Sequence, residues 1–279
     1  MKFILAGLNN FHSEWPLLEA AVVKADRLGF WEAVIPDHYM WGPMEWQPRA
    51  MGDSTVESWI ALTYLAAKTE RIRLGTLVTP IPFRPPGVLA KMVATLDVLS
   101  NGRTILGVGA GWSRVEFEGY SEWEEPRIRV EKTEEGVRLI LKLWTEQRVD
   151  FDGDYYHARG AVLEPKPIQK PHPPLLFGGE RPRMLRMAGR YADICHIPSW
   201  VKMSIDEARK IVLESARLCS REKSLSFAGG SVSVPKPASN EQYRREVEEA
   251  RRMGCEYFLV AFPRQDYIGR MEEFAKEFL

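Results

Sequence analysis

Two adjacent residues, Asp37 and His38, carry the clearest chemical possibility in the chain. A histidine exchanges protons near neutral pH, and a carboxylate beside it can orient the ring or raise its pKa, so the pair suits general acid–base work. Tyr39, Trp41 and Trp46 follow within a few residues and supply material for a pocket wall. A second cluster is Gly178-Gly179, which precedes Glu180-Arg181-Pro182-Arg183 and an apolar helical run. Bare amides and a helix N-terminus can hold a phosphate there, with Arg181 or Arg183 adding a charged contact. Gly107, Gly109 and Gly111 lead into Trp112, but the third glycine of a GxGxxG pattern is missing and no acidic strand end follows at the required distance. That excludes a dinucleotide-binding fingerprint. Each feature alone also has an ordinary structural reading: Asp37 as a turn cap, the glycine pairs as tight turns.

What these residues share is position, because each follows directly on a short apolar run. Such runs alternate with longer amphipathic stretches along the whole chain, the signature of βα units around a parallel sheet. The spacing predicts strands at 3–8, 31–36, 72–78, 104–110, 192–197, 225–234 and 257–262, and another in LLFGG at 175–179. Helices are expected at 14–28 with Ser13 as N-cap and Gly29 as stop, then at 58–68, 88–99, 131–144, 183–191, 205–220, 241–253 and 266–278. About eight strand-helix units fit an α/β fold of the closed (β/α)8 TIM-barrel type better than an open doubly wound sheet. The polar, aromatic stretch 149–174 reads as an insertion, since Pro165, Pro167, Pro171, Pro173 and Pro174 forbid a regular helix. With 279 residues and 45% hydrophobic content, one barrel domain over 1–279 is expected. Active sites of such barrels lie at the C-terminal strand ends, where Asp37-His38, Thr79, Ala110-Gly111-Trp112, Gly178-Gly179 and Pro198-Ser199-Trp200 all fall.

Lys plus Arg equals Asp plus Glu at 38 each, so no net field favours nucleic acid or an anionic membrane. The opening MKFILAGLNNFHSEW reads as neither a signal peptide nor a spanning segment, and a cytoplasmic location is expected. Cys195, Cys219 and Cys255 form no CxxC pair and sit in strand or helix runs, which makes them packing residues and leaves no metal site.

The run ADRLGFWEAVIPDHY ending at Tyr39, the stretch 71–112 (RIRLGTLVTPIPF…TILGVGAGW) and the stretch 162–193 (VLEPKPIQKPHPPLLFGG to AGRYAD) together resemble the bacterial luciferase-like monooxygenase family, especially its deazaflavin-dependent branch. The resemblance implies a (β/α)8 barrel with insertion segments and a bound coenzyme F420, an 8-hydroxy-5-deazaflavin, or alternatively FMN. It implies Asp37 and His38 near the reactive ring, with His38 contacting the substrate oxygen or moving its proton. It also implies a bulged strand at Thr76, Leu77, Val78 and Thr79 against the ring, with a non-prolyl cis peptide at Thr76–Leu77 or Leu77–Val78. Ala110, Gly111, Gly178, Gly179 and the helix start near Arg183 match positions that hold the ribityl chain and phosphate. The family's sugar-phosphate dehydrogenases carry a catalytic Glu directly after the GxG segment. That position here is Trp112, which argues against a sugar phosphate, although Glu116 can still reach the pocket. Trp41, Trp112 and Trp200 are candidate substrate-pocket walls. The resemblance further implies a small-molecule substrate and a homodimer. Three functions follow as expectations: hydride transfer between F420 and a small carbonyl, imine or alkene; an FMN-dependent monooxygenase; and a barrel that binds ligand without catalysis.

Overall fold

The computed structural model describes residues 1–40, 54–198, 201–236 and 238–279. Strand β1 (Lys2–Leu5) leads through α1 (Trp15–Leu28) to β2 (Glu32–Ile35). Helix α2 (Ser58–Lys68) precedes β3 (Arg73–Thr76) and its continuation β4 (Thr79–Pro80), and α3 (Pro86–Leu99) leads to β5 (Thr104–Gly109). Next come α4 (Arg114–Tyr120), α5 (Pro126–Thr145), a hairpin of β6 (Val149–Asp152) and β7 (His157–Ala161), and β8 (Leu175–Gly178). The chain closes with α6 (Pro182–Tyr191), β9 (Ile194–His196), α7 (Ile205–Leu218), β10 (Ser226–Gly230), α8 (Asn240–Arg252), β11 (Tyr257–Val260) and α9 (Tyr267–Phe278).

The strands pair in parallel in the order β3, β2, β1, β11, β10, β9, β8, β5, and β5 pairs back onto β3 and β4. Because β3 and β4 are two halves of one interrupted strand, the described residues form eight barrel positions, and the fold is a (β/α)8 barrel. The interruption lies at Leu77–Val78, whose peptide bond is cis, so the second of the two expected bonds is the one. The insertion at 149–174 contains the antiparallel β6–β7 hairpin. Its turn is fastened to α5, where the Glu135 carboxylate accepts hydrogen bonds from the amides of Asp154, Tyr155 and Tyr156.

Local chemistry explains the helix boundaries. Gly29 takes φ 94° and stops α1, as a left-handed cap requires. Ser13 is not the cap of α1: it lies in a 3-10 turn, His12–Glu14, and Glu14 flanks the helix without a side-chain cap bond. Three helices start earlier than their apolar periodicity indicates, because Pro86, Pro126 and Pro182 occupy the first helical position, where a missing N–H costs nothing.

Alternation along the strands sends one face to the helices and one to the lumen. The lumen is filled by Ile4, Val34, Ile105, Leu176, Ile194 and Leu259 with Tyr257 below them. Glu32 also points inward, on the same face as Val34 and fully buried, and neither carboxyl oxygen finds a hydrogen-bond partner among the described residues. Burial pushes its pKa up from 4.5 to about 8, with Arg73 opposing in part. A carboxyl whose folded pKa is raised favours the native state while protonated. Its contribution is complete below about 4.5 and is lost as pH rises through about 8. Glu32→Gln is therefore expected to flatten the fall in stability between pH 5 and pH 8.5 and to raise Tm at pH 8.5 by about 3 °C or more, read by thermal unfolding across pH.

Candidate active site

The mouth of the barrel is built from strand ends that keep few side chains. Above the apolar lumen layer the inward positions are Ala6, Gly107, Gly109, Gly178, His196, Ala228 and Gly230, all small but His196, and the gap is covered by Leu77 and Val78 of the interrupted strand. A Cβ on Gly178 would meet Val78 Cγ1 at 3.1 Å and Leu77 Cδ1 at 3.4 Å. The result is a shallow, apolar floor at the C-terminal end of the sheet, where barrel enzymes carry their chemistry.

His38 rises beside this floor at the tip of β2, 9% exposed. Its Nδ1 lies 2.7 Å from Oε2 of Glu116, which is fully buried in the first turn of α4. The other oxygen of Glu116 accepts hydrogen bonds from the amides of Tyr39 at 2.8 Å and Met40 at 3.3 Å. A carboxylate accepts at both oxygens, so the ring nitrogen that donates toward Glu116 is Nδ1. The edge of Trp112 faces the imidazole, with ring centroids 5.7 Å apart, and Trp112 itself is half exposed.

Asp37 does not orient His38. Its carboxylate turns the other way, where Arg84 grips both oxygens at 2.7 and 2.9 Å and Thr79 Oγ1 donates at 2.8 Å. The pairing of Asp37 with His38 expected from their adjacency is thus replaced by a pairing of Glu116 with His38. Successive residues of an extended tip face opposite ways, so the two neighbours cannot share a proton. Arg84 also pairs with Glu57, and its guanidinium lies 4.8 Å from the ring of Tyr39. Burial is the main cause that pushes the Tyr39 hydroxyl above its usual range and keeps it a neutral phenol.

The third-strand residues divide by face. Leu77 and Val78 reach the lumen, whereas Thr76 and Thr79 are fully buried behind the strand. Thr79 Oγ1 donates to Asp37 and accepts from Trp59 Nε1 at 3.2 Å, and it lies 2.9 Å from Thr76 Oγ1. Their hydroxyls bond to each other and to the frame behind the strand. Gly111 has φ 75°, and a Cβ there would strike the Phe117 ring at 2.6 Å, so its packing against α4 already accounts for glycine. Gly179 backs onto α6, where a Cβ would lie 2.9 Å from Met184 Cβ. The guanidinium of Arg183 lies 3.0 Å from Glu131 of α5 at the start of α6, and the side chain is about half exposed. Trp41 and Trp200 lie outside the described residues.

Sequence reasoning missed Arg84 and His196. Arg84 stands between Phe83 and Pro85 just after a strand end, a place where a charged side chain has reason to turn inward. His196 ends β9 and is 3% exposed, with Nε2 3.2 Å from the carbonyl oxygen of Gly230. Burial pushes its pKa down to about 4, so the ring is neutral at physiological pH.

Known proteins share this architecture. The chain is 35% identical over 207 residues to an F420-dependent glucose-6-phosphate dehydrogenase of Intrasporangium calvum, covering 72% of this chain but only 60% of that relative's length. It is 35% identical over 130 residues to an FMNH2-dependent dimethylsulfone monooxygenase of Pseudomonas putida, covering 46% and 36% of the two chains. A solved F420-dependent secondary alcohol dehydrogenase in complex with an F420-acetone adduct superimposes with a TM-score of 0.82 at 21% identity, over 99% of this chain and 98% of that one. The luciferase-like monooxygenase model matches residues 12–266, and the chain belongs to that family.

Proposed function

We propose that this protein is an F420-dependent oxidoreductase that transfers a hydride between the deazaflavin and a small carbonyl, imine or alkene. The observation that carries the reading is the His38–Glu116 pair beside a barrel mouth stripped of side chains. The row Gly107, Gly109 and Gly178 lets the third strand and the side chains of Leu77 and Val78 lie close across the mouth, since a Cβ at Gly107 would strike the Thr76 carbonyl and one at Gly109 or Gly178 would strike Val78, and the apolar face so formed suits a flat tricyclic ring. Coenzyme F420, when bound, supplies the two-electron hydride chemistry, and the protein supplies orientation and proton handling. Leu77 and Val78 form the apolar surface under the ring, and the open amides at the start of α6, after Pro182, are suited to the phosphate. Glu116 occupies Nδ1 of His38 and so assigns proton exchange to Nε2, which gives a proton to the substrate heteroatom in reduction and takes it back in oxidation. Trp112, where sugar-phosphate dehydrogenases of the family carry a carboxylate, favours a small apolar substrate over a sugar phosphate.

The similarity to an FMNH2-dependent monooxygenase supports a second reading, in which reduced FMN and oxygen serve instead. Anaerobic titration with F420 and with FMN, followed by absorbance, separates the two. The first reading requires saturable F420 binding at lower concentration than FMN, and preferential FMN binding would reverse the choice. We place the protein in a reducing compartment, the cytoplasm, since all three cysteines are free and Cys219 is exposed. Among the described residues no helix is long and apolar enough to cross a membrane. A homodimer is supported by a groove of about 450 Å³ between α2 and α3, with exposed Ile60, Val88 and Leu99 at its rim. Sedimentation at the monomer mass would contradict it.

His38→Asn is expected to lower turnover by about 10²-fold or more while leaving the fold and cofactor affinity near wild type, as measured by steady-state rates and titration. Glu116→Gln is expected to cost about tenfold or more and to move the pH–rate profile, because the proton on Nδ1 loses its carboxylate; an unchanged profile would remove Glu116 from the mechanism. Gly178→Val is expected to weaken cofactor binding by crowding Val78 and Leu77, and an unchanged affinity would place the ring elsewhere.

A further inference from the structure

Proton exchange at His38 makes no use of the second imidazole of the mouth. In the strand order around the barrel β9 stands four positions from β2 in either direction, so the strand that carries His196 lies opposite the one that leads to His38. Ile194 belongs to the lumen cluster and Cys195 to the outer core, and alternation therefore turns His196 inward in the layer above Ile194. The register sets it beside Gly178 of β8 and Ala228 of β10, so its neighbours on both sides are small.

The state of the ring follows from its one hydrogen bond. A carbonyl oxygen only accepts, so Nε2 donates to Gly230 and carries the proton. In a neutral imidazole Nδ1 then bears a lone pair, and no described residue donates to it. The side chain is held on a strand at 3% exposure, and this lone pair remains available to whatever fills the mouth. Among the side chains of the small-residue layer, His196 is the polar one, and it sits within strand β9, whereas His38 lies beyond the end of β2.

We propose that His196 is a cofactor-binding residue whose Nδ1 accepts a hydrogen bond from an N–H or O–H on the edge of the bound tricyclic ring. This rests on the reading of the barrel mouth as the deazaflavin site. It gives the ring a polar contact opposite the proton-exchanging histidine and fixes its rotation about the barrel axis.

The test uses binding without turnover. Coenzyme F420, and FMN in parallel, are titrated into wild type, His196→Gln and His196→Asn, and Kd is read from cofactor absorbance and fluorescence. Glutamine places an amide N–H near the position of Nε2 and keeps donation to Gly230, but offers no acceptor at the Nδ1 position. Asparagine places its amide oxygen near Nδ1 and loses the Gly230 contact. For whichever cofactor the wild type binds, the expected result is about a tenfold rise in Kd for His196→Gln, the size of one lost hydrogen bond, with His196→Asn within about threefold of wild type. Kd for His196→Gln within twofold of wild type, or equal losses in both variants, would overturn the proposal. If His196→Gln does not fold, the nitrogen resonances of wild type labelled with [15N]histidine decide: the His196 Nδ1 signal moves when cofactor is added, and an unmoved signal overturns the assignment. A wild type that binds neither cofactor would overturn the parent reading together with this one, whereas normal wild-type binding with unaffected variants overturns this one alone.

Discussion

The barrel closes along the seam where β3 and β4 run against β5, and that seam admits nothing larger than hydrogen at Gly107. A Cβ there would lie 1.8 Å from the carbonyl oxygen of Thr76, and a backbone atom inside a parallel sheet cannot swing aside. The same approach lays Val78 across Gly109, where a Cβ would fall 2.3 Å from Cγ2, and onward toward Gly178. Closure of the barrel and the clearing of its mouth are therefore one constraint. The residues that let the third strand break and rejoin also deny side chains to the layer where a flat ligand would rest.

Two buried carboxylates divide the remaining work. Burying a charge is tolerable only when its hydrogen-bonding capacity is met. Asp37 is met by Arg84 and Thr79, which ties the tip of β2 to the loop after β4 and, through Glu57, to the start of α2. Glu116 is met by His38 and two backbone amides, which ties the same tip to α4. The first network holds the frame and the second aims the imidazole. Neighbouring residues in sequence thus take unrelated roles because the chain turns their side chains to opposite sides.

Much of this was legible in the residues themselves. Alternating apolar runs gave the barrel, the glycine after Leu28 marked the end of α1, and Asp37-His38 and Gly178-Gly179 stood at strand ends as the pattern required. Periodicity could not show that α4 exists, since Arg114–Tyr120 is only two turns long, nor that the proline-rich insertion holds a hairpin. Partnership was the harder part. Adjacency suggested that Asp37 serves His38, but the carboxylate that does so is 78 positions away, and nothing local to Glu116 announces that contact. Arg84 and His196 were overlooked for the same reason: what makes them matter is burial, which arises only when strands distant in sequence come together.

The central claim is that the cleared floor over Leu77 and Val78 is where a deazaflavin ring lies, between His38 and the glycine row. A crystal structure of the protein grown with coenzyme F420 tests it most directly. The account predicts the ring plane resting on Leu77 and Val78, with its reactive edge within hydrogen-bonding reach of a substrate held by His38. Density for the cofactor anywhere other than the C-terminal mouth of the barrel, or a ring held away from both Val78 and His38, would contradict it.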